Sequence, residues 1–127
     1  MKLLLHLKLI GLFLVISNVS AKEIIIEPGP NAYDDVQEAM ILMDEGDTLT
    51  LRSGNYLFED GLSLDVANVT VQGDGMDKTI LNFDRQVSGA QGLLVTSDSV
   101  TLKDFSILNA KGDALKVIGA NGISMIR

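Results

Sequence analysis

Asn68-Val69-Thr70-Val71-Gln72-Gly73, Ser99-Val100-Thr101-Leu102-Lys103-Asp104 and Gly122-Ile123-Ser124-Met125-Ile126-Arg127 are three versions of one phrase. Each is preceded by a second short alternating run: Leu62-Ser63-Leu64, Leu93-Leu94-Val95 and Leu115-Lys116-Val117. The copies recur at offsets of 31 and then 23 residues. A strand–turn–strand unit returning at such intervals is the signature of a solenoid, because one coil can bury its apolar face only against the next. An antiparallel sandwich gives no reason for the same unit to recur in register.

Alternate residues of a strand face opposite sides, so the aligned copies assign directions. Val69 and Val71, Val100 and Leu102, and Ile123 and Met125 are expected to point inward. Thr70 and Gln72, Thr101 and Lys103, and Ser124 and Ile126 then point outward, with Thr70, Thr101 and Ser124 forming a hydroxyl ladder at a spacing of about 4.8 Å. The first offset exceeds the second by eight residues, and the excess falls between Gly73 and Gln91. Loops at Gly73 to Lys78 and Asp84 to Gln91 are therefore predicted to bulge from the coil.

The rest of the mature chain agrees. Glu23 to Glu27 reads as a short strand, stopped by Pro28-Gly29-Pro30. From Asn31 to Met43 the apolar residues Val36, Ala39, Met40 and Met43 fall on one helical face, with Asn31 as N-cap, Asp34 and Asp35 in the first turn and Gly46 as the stop. Such a helix has a use at the head of a solenoid, where it covers the open end of the first coil. From Asp47 onward the period is two, in ten short runs: Thr48 to Leu51, Tyr56 to Phe58, Leu62 to Asp65, Val69 to Gln72, Thr79 to Phe83, Leu93 to Thr96, Val100 to Lys103, Phe105 to Leu108, Leu115 to Ile118 and Ile123 to Ile126. Without helical crossovers between them these runs exclude an α/β fold, and the class is all-β.

The N-terminus has a different character. Met1-Lys2 leads into the apolar stretch Leu9 to Ile16 and then into Ser17-Asn18-Val19-Ser20-Ala21, a basic start, a short apolar core and a small-residue cleavage site. Residues 1–21 thus read as a secretory signal peptide cleaved after Ala21, which makes the protein exported, periplasmic or extracellular, with residues 22–127 as one domain. The apolar stretch is shorter than the roughly 20 residues a bilayer span requires, and a buried helix is disfavoured by His6 and Lys8. Cleavage leaves 8 basic against 17 acidic side chains, a formal charge of −9, which argues against nucleic acid or an anionic membrane as partner. The chain has no cysteine, so disulfides, thiolate metal sites and cysteine nucleophiles are excluded. Asn68-Val69-Thr70 fits the glycosylation pattern, and a turn asparagine before a strand threonine is its ordinary explanation.

Gly46-Asp47-Thr48-Leu49-Thr50-Leu51-Arg52-Ser53-Gly54-Asn55-Tyr56, together with Val69 to Leu81, resembles the entry coils of right-handed parallel β-helix proteins of the pectate-lyase-like superfamily. The resemblance covers residues 23–127 and is strongest to an exported bacterial subgroup of unassigned reaction. It implies a right-handed parallel β-helix with a short N-terminal capping helix at about 31–43. The superfamily includes polysaccharide lyases, epimerases, hydrolases, esterases, tailspikes, adhesins and periplasmic assembly factors, so the fold does not fix the activity.

Elimination on an acidic polysaccharide needs a cation or metal at the uronate carboxylate and a base at the adjacent carbon. The outward or turn-adjacent candidates for substrate contact are Lys103, Asp104, Lys116 and Arg127, of which Asp104 and Arg127 sit one coil apart and are placed to form a solvated ion pair. Asp74, Asp77 and Asp84 are candidate calcium ligands on a spacing that matches no calcium loop, and backbone geometry in turns explains them equally. No other cofactor is evident. Gly73-Asp74-Gly75 is no phosphate cradle, since no helix follows. The single histidine, His6, leaves with the signal, and with it any Ser–His pair. Tyr33, Tyr56, Phe58, Phe83 and Phe105 are expected mostly to fill the core rather than to stack on sugars.

The last unit reaches Arg127 in a strand with no polar closing segment, where a solenoid needs a cap. The expectation is therefore an N-terminal piece of an exported β-helix protein that binds or modifies polysaccharide or an envelope glycan, as a lyase or epimerase whose catalytic coils lie further on. The alternative is a non-catalytic scaffold, adhesin or cofactor-assembly factor. The sequence does not specify an oligomer.

Overall fold

A computed structural model describes residues 20–127. The chain order is β1 (Glu23–Ile26), α1 (Ala32–Leu42), β2 (Thr48–Leu51), β3 (Gly54–Leu57), β4 (Leu62–Leu64), β5 (Thr70–Gly73), β6 (Thr79–Asn82), β7 (Leu93–Val95), β8 (Thr101–Lys103), β9 (Ser106–Leu108), β10 (Leu115–Val117) and β11 (Ser124–Ile126). Every pairing is parallel; β1 pairs with β2, and from β2 onward strands pair with those three places along the chain rather than with their neighbours. Three sheets result: sheet A in the order β1-β2-β5-β8-β11, sheet B as β3-β6-β9 and sheet C as β4-β7-β10. This is a parallel β-solenoid, each coil contributing one strand to each face.

The register reproduces the repeat read from the sequence. Thr70 pairs with Thr101 and Thr101 with Ser124, the offsets of 31 and 23 residues, while Thr48 pairs with Thr70 at only 22. The longer coil differs at two corners, residues 74–78 between β5 and β6 and residues 83–92 between β6 and β7, where the bulges were expected. The second of these is pinned. Gln86, 1% exposed, donates from Nε2 to the Gln91 carbonyl at 3.0 Å and accepts the Lys111 N–H at 3.3 Å, while the Val87 N–H reaches back to the Glu59 carbonyl at 2.9 Å.

The corner leading into sheet A repeats as a column of left-handed residues. Gly46, Asn68, Ser99 and Gly122 stand two places before the register-matched Thr48, Thr70, Thr101 and Ser124, with φ of 91°, 56°, 57° and 70°. Their backbones hydrogen-bond from coil to coil, Gly46 N–H to the Asn68 carbonyl at 2.7 Å and Asn68 N–H to the Asp98 carbonyl at 3.0 Å. Short polar residues tolerate this conformation by bonding locally, and glycine enters it freely. Asn68 is therefore an exposed turn residue, as its place before Thr70 implied.

Inside, the expected columns are filled. Val69, Val71, Val100 and Leu102 are at most 4% exposed, as are Leu49, Leu51, Leu62, Leu64, Leu81, Leu93 and Val95. Tyr56, Phe58 and Phe83 are fully buried, with Phe58 and Phe83 centroids 5.1 Å apart and Tyr33 edge-on to Phe58 at 6.3 Å. The exception is the last coil, where Ile123 is half-buried and Met125 is 71% exposed, since among the described residues no strand pairs with β11 on its outer side.

Helix α1 closes the other end. Val36, Ala39, Met40 and Met43, the face read from the sequence, are all buried on the first coil. Gln37 adds a polar closure, donating to the Ser63 carbonyl at 3.0 Å and accepting the Ser63 N–H at 2.9 Å. One side-chain amide thereby pairs both backbone groups of β4, the edge strand of sheet C, as a neighbouring strand would. Two expectations are corrected. Asn31 occupies the N-cap position but its side chain makes no capping bond; its carbonyl accepts the Asp35 N–H at 3.0 Å. The helix ends at Leu42, with Met43 extended, and Gly46 belongs instead to the turn into β2.

Candidate functional site on the outward face of sheet A

Sheet A is the widest sheet and carries the most regular polar surface. Register places Glu23, Thr48, Thr70, Thr101 and Ser124 in one outward column and Ile25, Thr50, Gln72, Lys103 and Ile126 in the next. The hydroxyl ladder expected at Thr70, Thr101 and Ser124 is thus present and extends back to Thr48, each step about 4.8 Å.

The two columns differ in what they leave available. Thr50 is 3% exposed; its hydroxyl donates to Glu23 Oε1 at 2.6 Å and accepts from Gln72 Nε2 at 3.0 Å. This Glu23–Thr50–Gln72 chain crosses three strands and stiffens the N-terminal half of the face, and its hydroxyl is fully used. The hydroxyls of Thr48, Thr70, Thr101 and Ser124, by contrast, have no side-chain hydrogen bond among the described residues, nor has the Lys103 ammonium. A row of hydroxyls with a cation beside it can donate to and accept from another hydroxyl-rich chain, and can neutralise a carboxylate on it.

Of the residues singled out from the sequence, Lys103, Asp104 and Arg127 share one edge of sheet A, at the C-terminal ends of β8 and β11. Asp104 lies at φ 61°, and its backbone is fully engaged: its N–H donates to the Ile126 carbonyl at 3.2 Å and its carbonyl accepts the Gly75 N–H at 2.9 Å. The ion pair expected between Asp104 and Arg127 is not made among the described residues, although the two stand in equivalent positions one coil apart. The pair that does form across this edge is Arg52 with Asp74, at 3.5 Å. Lys116 lies elsewhere. It is on β10 of sheet C, in register with Leu94 and Ser63, so it does not join the other three.

The acidic residues are engaged in turn geometry. Asp74 Oδ2 accepts the Ser53 N–H at 2.7 Å and the Ser53 hydroxyl at 3.0 Å, and these bonds hold its carboxyl below the usual range. The hydroxyls of Ser97 and Thr96, both 2.8 Å away, do the same to Asp65. Asp47, 2% exposed, accepts the backbone N–H of Lys22 at 3.0 Å and of Asp44 at 2.8 Å, and these donors lower its pKa. Asp84 and Asp77 do not join Asp74; among the described residues no group of three or more carboxylate or imidazole side chains is placed to hold a metal ion.

The end of the last coil forms a second feature, a cleft of about 440 Å³ whose lining includes Leu102, Phe105, Ile107, Leu115, Met125 and Arg127. Inward residues of the last coils meet outward ones there, among them Lys103 and Ile126. His6 and most of residues 1–21, the stretch expected to be a signal peptide, lie outside the described residues, and among those described no helix is long and apolar enough to cross a membrane. No family model, curated protein or solved structure matches the chain.

Proposed function

We propose that this is an exported, right-handed parallel β-helix protein of pectate-lyase-like type that binds an acidic polysaccharide or envelope glycan lengthwise on the outward face of sheet A. The observation that carries this reading is the column Thr48–Thr70–Thr101–Ser124, whose hydroxyls have no side-chain partners among the described residues, with Lys103 beside it. A glycan laid along the axis meets a donor and acceptor at every coil, and Lys103 and Arg127 offer charge to its uronates at one end. The right hand is supported by the strong preference of crossovers joining parallel strands in one sheet. Export is supported by the signal-like residues 1–21.

The reading assigns binding, and not turnover, to these coils. A lyase or epimerase needs a base placed beside a cation at one sugar, and Lys116 lies on another sheet from Lys103 and Arg127. Retardation in gels containing alginate, pectin or neutral dextran tests it. The expected result is retardation by a uronate polymer, weakened a few-fold by Lys103→Ala and by added salt, and weakened further by Thr70→Val with Thr101→Val. No retardation by any of these polymers, or retardation indifferent to all three substitutions, refutes it. Growth of unsaturated-uronate absorbance would transfer the assignment to the lyase class.

A further inference from the structure

The turn that opens the last coil holds the dipeptide Asn121-Gly122, the one Asn-Gly pair in the chain. We propose that Asn121 is a spontaneous modification site, converting through a succinimide to isoaspartate and aspartate and so ageing the last coil.

The reaction needs a main-chain amide nitrogen that can reach the side-chain carbonyl carbon of the preceding asparagine. Both groups are available here. Asn121 is exposed, its side-chain amide makes no hydrogen bond among the described residues, and the Gly122 N–H likewise has no partner among them. Gly122 lies at φ 70°, and the position of its missing Cβ is in ordinary van der Waals contact with Ser99 Oγ at 3.6 Å. Having no side chain of its own, Gly122 places no Cβ beside the attacking nitrogen. The backbone of Asn121 is held on both sides, its N–H by Asp98 Oδ1 at 2.8 Å and its carbonyl by the Ser99 N–H at 2.9 Å. Asn68 and Asn109 are exposed too, and are themselves left-handed, but valine and alanine follow them, whose side chains crowd the attacking nitrogen.

In the reaction the Gly122 nitrogen loses its proton to solvent base and attacks Asn121 Cγ. A bond from that nitrogen to Cγ forms, the bond from Cγ to Nδ2 breaks, and Nδ2 leaves as ammonia. Water then opens the ring. Cleavage at Cγ gives aspartate, and cleavage at the main-chain carbonyl carbon gives isoaspartate, with the chain rerouted through the side chain. One water is consumed and one ammonia released, with no change of oxidation state. The new carboxylate stands next to that of Asp98, and in the isoaspartate product the carbonyl that holds the Ser99 N–H is displaced. The stacked column of turns is then broken between its third and fourth members.

The test is incubation of the native protein in mildly alkaline buffer, followed by peptide mapping and labelling with isoaspartyl methyltransferase. Modification is expected at position 121 about tenfold faster than at Asn68 or Asn109, and slowed about tenfold by Gly122→Ala, because a Cβ obstructs the attack. That substitution also strains the turn, so Asn121→Gln serves as the second variant, since it leaves the backbone unchanged. In it the acidic species that accumulates with time should vanish, and the faster exchange of the Ser99 amide that accompanies that species should vanish with it. Equal rates at the three asparagines, or persistence of the acidic species in Asn121→Gln, overturns the assignment.

Discussion

Replacing Gly73 by alanine tests the closeness of the stack at a single atom. Gly73 ends β5, pairs with Leu51 below and meets the turn at Asp104 above. A Cβ there would lie 2.7 Å from Thr79 Cβ and 2.9 Å from its Oγ1, and closer still to the Asp104 carbonyl oxygen. None of these can yield cheaply. Thr79 is fully buried, with its hydroxyl donating to the Leu51 carbonyl at 3.0 Å and accepting the Asp74 N–H at 3.0 Å, and the Asp104 carbonyl holds the Gly75 N–H at 2.9 Å. Overpacking of this kind costs about 1–3 kcal/mol. Loss of one of the three hydrogen bonds adds about 1 kcal/mol, and the lower unfolded-state entropy of alanine returns about 0.5 kcal/mol. Gly73→Ala is therefore expected to lower the unfolding free energy by about 2–3 kcal/mol, read as a shift in the urea midpoint by far-ultraviolet circular dichroism. Gly29→Ala is the control, since nothing lies within 4 Å of its Cβ. A Gly73→Ala midpoint within about 0.5 kcal/mol of the parent would refute the close stacking.

Two pH effects follow from the titrating groups. Asp47, Asp65 and Asp74 all have lowered pKa values in the folded state, so their stabilisation is complete above the unfolded value near 4 and is lost as pH falls through their folded values. The urea midpoint should fall steeply below about pH 4, and less so in Asp47→Asn, where the buried acceptor no longer titrates. Burial pushes the Tyr56 phenol up to about 12, with its hydroxyl set against the Ile26 and Arg52 carbonyls at 3.0 and 2.8 Å. This stabilisation is present below the unfolded value near 10 and is lost as pH rises toward 12, so phenolate absorbance should lag in the native protein and the lag should disappear in Tyr56→Phe. The same variant should lose about 1–2 kcal/mol at neutral pH by leaving the Arg52 carbonyl without the phenol donor, while the Ile26 carbonyl keeps the Arg52 N–H at 3.0 Å.

Much of the fold was legible because strand register is a matter of counting. Identical phrases at Val69, Val100 and Ile123 placed β5, β8 and β11 together, and the helical face Val36, Ala39, Met40 and Met43 announced what it would cover. The start of β3 escaped notice, since Gly54 and Asn55 carry no alternating signal and the strand is made there by pairing with Thr79 and Ile80. The site was harder. Alternation tells whether a side chain faces in or out, but not which of three outer faces it reaches, because that depends on how sharply each corner turns. Lys116 was thus grouped with Lys103 although it belongs to sheet C. The Glu23–Thr50–Gln72 chain was likewise hidden, joining residues from strands of different coils whose outward columns had been traced only from Thr70 onward. The Asp104–Arg127 ion pair is not made although the two positions are equivalent, because equivalence in the repeat fixes backbone register and not where a long side chain reaches.

The corner at residues 83–92 implies that pitch and perimeter are independent in this molecule. Coils of 22, 31 and 23 residues stack in the same register, because the ladders see only the three strands of each coil and ignore the chain between them. The long corner is held by the buried amide of Gln86 and by the Val87 N–H on the Glu59 carbonyl, while the Val87 side chain projects 81% exposed. Residues can therefore be added at that corner without moving any strand, and a foreign recognition loop inserted beside Val87 would be displayed at a fixed height between sheets B and C, clear of the polar face of sheet A.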